Sequence, residues 1–439
     1  MVGSFSYRPA TSAHDPLHSR ALVLDDGSLQ LALAVVDSCY IPRSVLDEAK
    51  ERASKATKIP TNRMLVSATH THTAPPPAPG VGLRGPEAQA HLENETLYSE
   101  QLIQGIADSI INAHARIEPA EIGWAFTEVE DEVFNRRWFM KEGSIPPDPF
   151  GGRTDRVQMN PPRGSADLVR PAGPTDPEVG ILSIRSTAGV PLALLANYSL
   201  HYVGAILPGG LSADYFGEFA REISIKLDAP ADFVGILSNG TSGNINNIDF
   251  TQTRTIREPF EQVRRVAGKV ADAVAQAYSS IEHRPTAALA MAERELTLAL
   301  RKPTAEVYEN SRELLTNVPL ADYARQHIYA QWAIDLHDGP DSVDVKLQAL
   351  RIGDLGIAAL PFETFVEIGL ELKAKSAIKP MFTIELANGA EKYLPTPEHH
   401  ELGGYETWLG TNQVETQASV KITKALLELL DEVAPDPAQ

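Results

Sequence analysis

The sequence predicts an α/β fold. Short apolar runs of strand length alternate along the chain with stretches of helical periodicity. Polar residues that can carry chemistry recur where apolar runs stop, at His70 and His72, His201, Glu363 and Tyr393. Sheets of this class gather their ligand sites at strand ends.

Residues 20–38 read as two strands joined by an Asp26-Gly27 turn. A helix over 44–55 follows, with Ser44 as its cap. Met64, Leu65 and Val66 open a buried strand that turns polar and delivers His70 and His72. On an extended chain positions i and i+2 share a face, so both imidazoles should point the same way. Pro75, Pro76 and Pro77 then stop the strand. Two convergent imidazoles on a rigid edge suit a metal such as zinc, although an isolated pair more often faces solvent or a hydrogen-bond partner.

The Pro/Gly-rich stretch 75–95 reads as a loop at a site mouth. A helix over 97–115 buries Leu102, Ile106 and Ile110, with His91 and His114 as structural residues. A strand over 124–133 runs into Asn135 and Arg136. The long connection 141–178 is expected to be a lid, a disordered excursion or a boundary. A hairpin over 179–198 leads to His201, and a helix over 212–227 follows. A strand over 233–237 enters a loop of small residues, 238–244, that could approach a ligand closely. The segment 257–280 is an amphipathic helix, and 287–340 is strand then helix. A second hairpin turns at Gly353-Asp354 and ends in Pro361-Phe362-Glu363, with a helix after it to residue 375. A strand over 381–386 precedes Tyr393 and Tyr405, and a helix over 414–433 closes the reading.

With 439 residues, 43% hydrophobic and 22% charged, the chain can build a packed core. Its net charge of −19 argues against nucleic acid and anionic membrane surfaces as partners. The one cysteine, Cys39, excludes an intramolecular disulfide and a multi-cysteine zinc site, and reads as a small buried residue. No apolar run is long enough to span a membrane. No signal peptide is visible, so the cytoplasm is the expected compartment, or secretion if a leader has been removed.

The pattern resembles the neutral (alkaline) ceramidase family of zinc hydrolases. Ser67-Ala68-Thr69-His70-Thr71-His72-Thr73-Ala74-Pro75 looks like that family's signature. The likeness continues through Asn135-Arg136, His201, Ser212-Ala213-Asp214 and Pro361-Phe362-Glu363. It ends at Asn388, Tyr393 and Tyr405-Glu406, where the tyrosines keep the family's spacing of twelve, and it covers roughly residues 14–412.

The resemblance implies a layered α/β domain of mixed sheets packed together and flanked by helices. It implies one zinc ion per chain, held by His70, His201, Glu363 and Tyr393. His72 would act as general base and acid, while Arg136 and Tyr405 would hold the scissile carbonyl and its oxyanion. The implied reaction is hydrolysis of a carboxamide by a zinc-bound water. Asp214 is expected to support the site from behind.

The sequence also departs from the family. The family's Gly-Asp-Val-Ser-Pro segment is Gly243-Asn244-Ile245-Asn246-Asn247 here, so Asn246 replaces a serine implicated in the ceramide headgroup contact. One domain over 1–439 is expected, without the family's C-terminal β-sandwich or its usual leader and first strand. An N-acyl amine or N-acyl amino acid is therefore expected as the small-molecule substrate rather than ceramide. An ester or lactone on the same site, or a non-catalytic binding role, are the alternatives. A (β/α)₈ amidohydrolase also begins with His-x-His, but it needs later histidines and an aspartate where this chain has Glu363 and Tyr393. His14, His18, His283, His327 and His337 read as surface or structural residues; His399 and His400 do too, or line the pocket mouth.

Overall fold

The fold comes from a computed structural model that describes residues 1, 3, 5, 8–79, 86–319 and 324–435, with side chains outside 86–92. Three main sheets carry it. The first runs Ser19–Asp25, Gln30–Val36, Met64–Ala68, antiparallel then parallel. The second runs Val234–Asn239, Pro191–Tyr198, Glu178–Ser186, Ala120–Glu128, with only its first pair parallel. The third runs Leu289–Ala299, Ser342–Ile352, Leu355–Ala359, Met381–Ile384, with only its last pair parallel.

Alternation along the strands assigns each face. Leu65 points into a cluster shared by all three sheets, with Leu195, Ile236, Ile357 and Phe382, whereas Met64 and Val66 face the other way. Those outer faces are covered by helices. Arg43–Thr57 and Pro86–Ala115 cover the first sheet, through Leu46, Ala49, Ile106 and Ile110. Asp214–Lys226 and Glu261–Tyr278 cover the second, through Phe216, Phe219, Val266 and Val270. Val366–Lys375 and Ala418–Val433 cover the third. Burial on both faces explains why the strands read as continuous apolar runs.

Each parallel pair ends at the same place. The chain leaves Met64–Ala68, Pro191–Tyr198, Val234–Asn239, Leu355–Ala359 and Met381–Ile384 into adjoining loops. Backbone bonds stitch those loops across the sheets: Ala68 N–H donates to Leu386 O, Glu385 N–H to Asn239 O and Thr69 N–H to Val36 O.

Several elements differ from the sequence reading. Pro42, not Ser44, caps the helix Arg43–Thr57, because its carbonyl accepts from Val45 and Leu46 and its ring presets the entering backbone. The connection 141–178 contains Val157–Met159 and Leu168–Pro171, which pair on either side of Arg137–Met140. Helix begins at Pro86, inside the stretch read as loop; residues 80–85 and the side chain of His91 lie outside the described residues. The last helix begins at Ala418, since Val414 is taken by a bridge to Leu300. Among the described residues, no helix is long and apolar enough to cross a membrane.

Candidate metal centre

His70 follows the strand Met64–Ala68 but does not continue it. Its backbone turns left-handed, φ 72°, a conformation that costs a non-glycine residue about 1–2 kcal/mol. The two imidazoles still converge, with His70 Nε2 3.1 Å from His72 Nε2. They meet because the chain bends, not because an extended strand aligns them. The bend is held by His70 N–H on Ser38 O and by the ring Nδ1 on Cys39 O at 2.7 Å. Cys39 thus serves through its carbonyl, a role its side chain does not announce.

His201 arrives three residues beyond Pro191–Tyr198. Its Nδ1 lies 3.0 Å from Ser242 O, and its Nε2 lies 2.9 Å from His70 Nε2. A ring that donates from Nδ1 to a carbonyl leaves its Nε2 lone pair free, so both histidines offer Nε2 to the same point. Glu363 joins them, with Oε2 at 3.3 Å from His70 Nε2 and 3.5 Å from His201 Nε2. Its strand Glu363–Thr364 pairs in parallel with Tyr393–Leu394, residue 363 opposite 393. The Tyr393 side chain bonds both Glu363 and Arg136.

Burial and charge oppose each other at this point. Burial opposes a charged His70, yet Glu363 and Cys39 together raise its pKa well above the ordinary value. Burial lowers His72 and His201 well below it, helped by His70 and Arg136 respectively. Glu363 is held below the carboxylate range, despite burial, by His70, Tyr393 and Arg136. Two buried polar atoms here, Glu363 Oε2 and Arg136 Nη2, have no hydrogen-bond partner among the described residues.

The donor set fits zinc. Tetrahedral zinc takes imidazole nitrogen and carboxylate oxygen at about 2.0–2.2 Å, which spaces neighbouring ligand atoms roughly 3.4 Å apart. The observed 2.9, 3.3 and 3.5 Å bracket that spacing. Cys39, His70 and His72 also come within mutual ligand range.

Around this centre lie Tyr405 and Asp214, which the sequence named, and two residues whose roles it did not, Tyr202 and Glu406. Tyr202 stacks on the His72 ring, with centroids 3.6 Å apart at 18°. Glu406 accepts from Arg136 Nε at 3.0 Å and from Arg137 Nη1 at 2.6 Å, so the guanidinium is fixed by a buried carboxylate. Tyr405 stands edge-on to Tyr393 at 5.8 Å. Asp214 accepts from Val203, Gly204 and Tyr215 backbone N–H groups and so holds the turn just after His201. Burial, against those bonds, pushes its carboxyl up to about 6.

The small-residue loop packs closely against the strand that carries Glu363. A Cβ on Gly243 would come within 2.5 Å of Glu363 O. Asn244 accepts from Val366 N and donates to Glu367, and Asn246 donates to Asn160. His399 bonds Glu367 and is buried. A groove of 1370 Å³, lined in part by Arg20, Asp25, Arg116, Arg221 and Phe233, contains none of the residues of this centre.

Two solved structures share this architecture. Neutral ceramidase from Pseudomonas aeruginosa superposes with a TM-score of 0.65 and 17% sequence identity, covering 95% of this chain and 69% of that one. A structure described as ceramidase complexed with C2 gives 0.69 and 17%, covering 98% and 72%. The fold is therefore that of the neutral ceramidases, the layered α/β arrangement that the sequence resemblance implied. No protein-family model and no curated protein matches the chain.

Proposed function

We propose that this chain is a zinc-dependent hydrolase of a carboxamide bond, of the N-acyl amine type. The observation that carries the reading is the convergence of His70 Nε2, His201 Nε2 and Glu363 Oε2 on one point, with His72 Nε2 3.1 Å from the first of them. Tyr393 completes the holding set. Bound there, zinc supplies a Lewis acid and lowers the pKa of water to roughly 7.

The chain's own residues supply the rest. His72 is partly buried, neutral and stacked on Tyr202, so its Nε2 can take a proton from the attacking water and return it to the leaving nitrogen. Arg136 is oriented by Glu406, and its Nη2, without a partner among the described residues, can hold the carbonyl oxygen as it becomes anionic. The Tyr405 hydroxyl is a second donor for that oxygen, since burial holds the phenol protonated. With Asn246 engaged on Asn160 and Ile248, the position lacks the family's serine hydroxyl, which favours an N-acyl amine other than ceramide.

The test is metal content of the purified protein, followed by a screen of N-acyl amines and N-acyl amino acids against matched esters. About one zinc per chain with amide hydrolysis supports the reading. Hydrolysis of esters alone would move the assignment to esterase, and a protein that neither holds nor takes up zinc would end it.

A further inference from the structure

Glu385 is fully buried just past Met381–Ile384, and among the described residues its side-chain hydrogen bonds go to Ser242 and Thr364 rather than to the proposed metal ligands. Its three hydrogen-bond partners nevertheless reach two of them. Oε1 accepts from Ser242 Oγ at 2.6 Å. Oε2 accepts from Thr364 N at 2.7 Å and from Ser242 N at 3.2 Å. None of the three donors is a cation.

Ser242 is the residue that orients His201. Its carbonyl lies 3.0 Å from His201 Nδ1, and its hydroxyl oxygen lies 3.4 Å from the same nitrogen. With the hydroxyl proton directed at Glu385, Oγ turns a lone pair toward Nδ1–H. The ring hydrogen then stays on Nδ1, and Nε2 keeps its lone pair for a metal. On the other side, Thr364 directly follows Glu363, and its carbonyl accepts from Gly243 N at 2.7 Å. One carboxylate therefore clamps the loop under His201 to the strand that carries Glu363.

We infer that Glu385 is a positioning residue that sets His201 and Glu363 together, through the Ser242 hydroxyl and the Thr364 amide. The inference rests on the metal reading of the site. When ionised, this carboxyl only accepts, whereas an amide in its place also donates. Turned one way, its NH₂ donates to Ser242 Oγ and drives the hydroxyl proton toward His201 Nδ1. Turned the other way, it faces two backbone N–H groups with donors of its own.

The experiment compares wild type, Glu385→Gln and Ser242→Ala after metal removal. Zinc affinity is read by competition with a chromogenic chelator, and the His201 tautomer by ¹⁵N chemical shifts of the histidine rings. Glu385→Gln should weaken zinc binding roughly ten- to a hundredfold and raise the share of His201 that carries its hydrogen on Nε2, a shift that a purely structural role would not produce. Ser242→Ala keeps the carbonyl acceptor and should lose only about two- to tenfold. Wild-type affinity and tautomer in Glu385→Gln would overturn the inference. If that variant does not fold, unchanged affinity and tautomer in Ser242→Ala would overturn it instead. A wild-type protein that takes up no zinc would remove the metal reading itself, whereas zinc-binding wild type with unaltered variants would remove only the role of Glu385.

Discussion

Two buried polar clusters lie along the strand Met64–Ala68, and they are built to opposite rules. Near Met64, the Lys50 ammonium donates to Asn388, Asn388 donates to Gln348 Oε1 at 2.8 Å, and Gln348 donates to Glu293 at 2.6 Å and to Met64 O at 3.2 Å. Each of these four side chains is bonded to another of the set. Beyond Ala68, two imidazole nitrogens and a carboxylate oxygen crowd one point, and Glu363 Oε2 and Arg136 Nη2 have no hydrogen-bond partner among the described residues. A closed buried network serves the fold, whereas convergent groups with unspent hydrogen-bonding capacity serve a ligand.

The sharpest way to break the contrast is at the open cluster. His70→Ala should abolish zinc uptake and reduce amide hydrolysis by roughly a thousandfold or more, read by elemental analysis and turnover on the best amide from the screen. Activity at the wild-type level without metal would place the two clusters in one class. Next in size is Glu406→Ala, which leaves two buried guanidinium groups unpaired. Losing one partner of such a pair costs about 3–5 kcal/mol, measurable by urea unfolding.

The closed cluster makes a pH prediction. Burial, with Lys346 nearby, lowers the Lys50 pKa from 10.5 to about 7. The folded state then binds fewer protons than the unfolded state between those two values, so stability rises as pH rises through that window. Relative to Lys50→Met, the wild type should gain about 1.4 kcal/mol per pH unit there. Parallel stability curves for the two proteins would show that Lys50 is not charged at the cost of stability. The smallest effect belongs to Tyr202→Leu, which removes the ring stacked on His72. Such stacking contributes about 0.5–1.5 kcal/mol, so kcat should fall up to roughly tenfold while zinc affinity stays unchanged. A weaker zinc affinity would instead join Tyr202 to the ligand set.

Much of the architecture was legible because continuous apolar runs and turn residues mark it, as at Met64-Leu65-Val66 and at Gly353-Asp354. The strands Val157–Met159 and Leu168–Pro171 were not, since three or four residues show no periodicity and their pairing comes from Arg137–Met140. His70, His72, His201, Glu363 and Tyr393 were named in advance, and the fold brings them together. Of their supports only Asp214 was named as one, and Glu406 only as part of a motif. Glu385, Glu406 and Tyr202 are ordinary residue types whose roles depend on partners such as Ser242 and Arg136, and no local spacing encodes those contacts. The left-handed turn at His70 was also hidden, because histidine carries no signal for it.

That turn sets stability screening against function. At φ 72° the backbone of residue 70 suits glycine or asparagine better than histidine. A library of variants selected for heat resistance alone would enrich those residues at this position. Each enriched sequence would fold more readily and would have surrendered the imidazole on which the proposed metal site depends. Selection for stability in this protein therefore has to be paired with selection for metal, or position 70 has to be left out of the library.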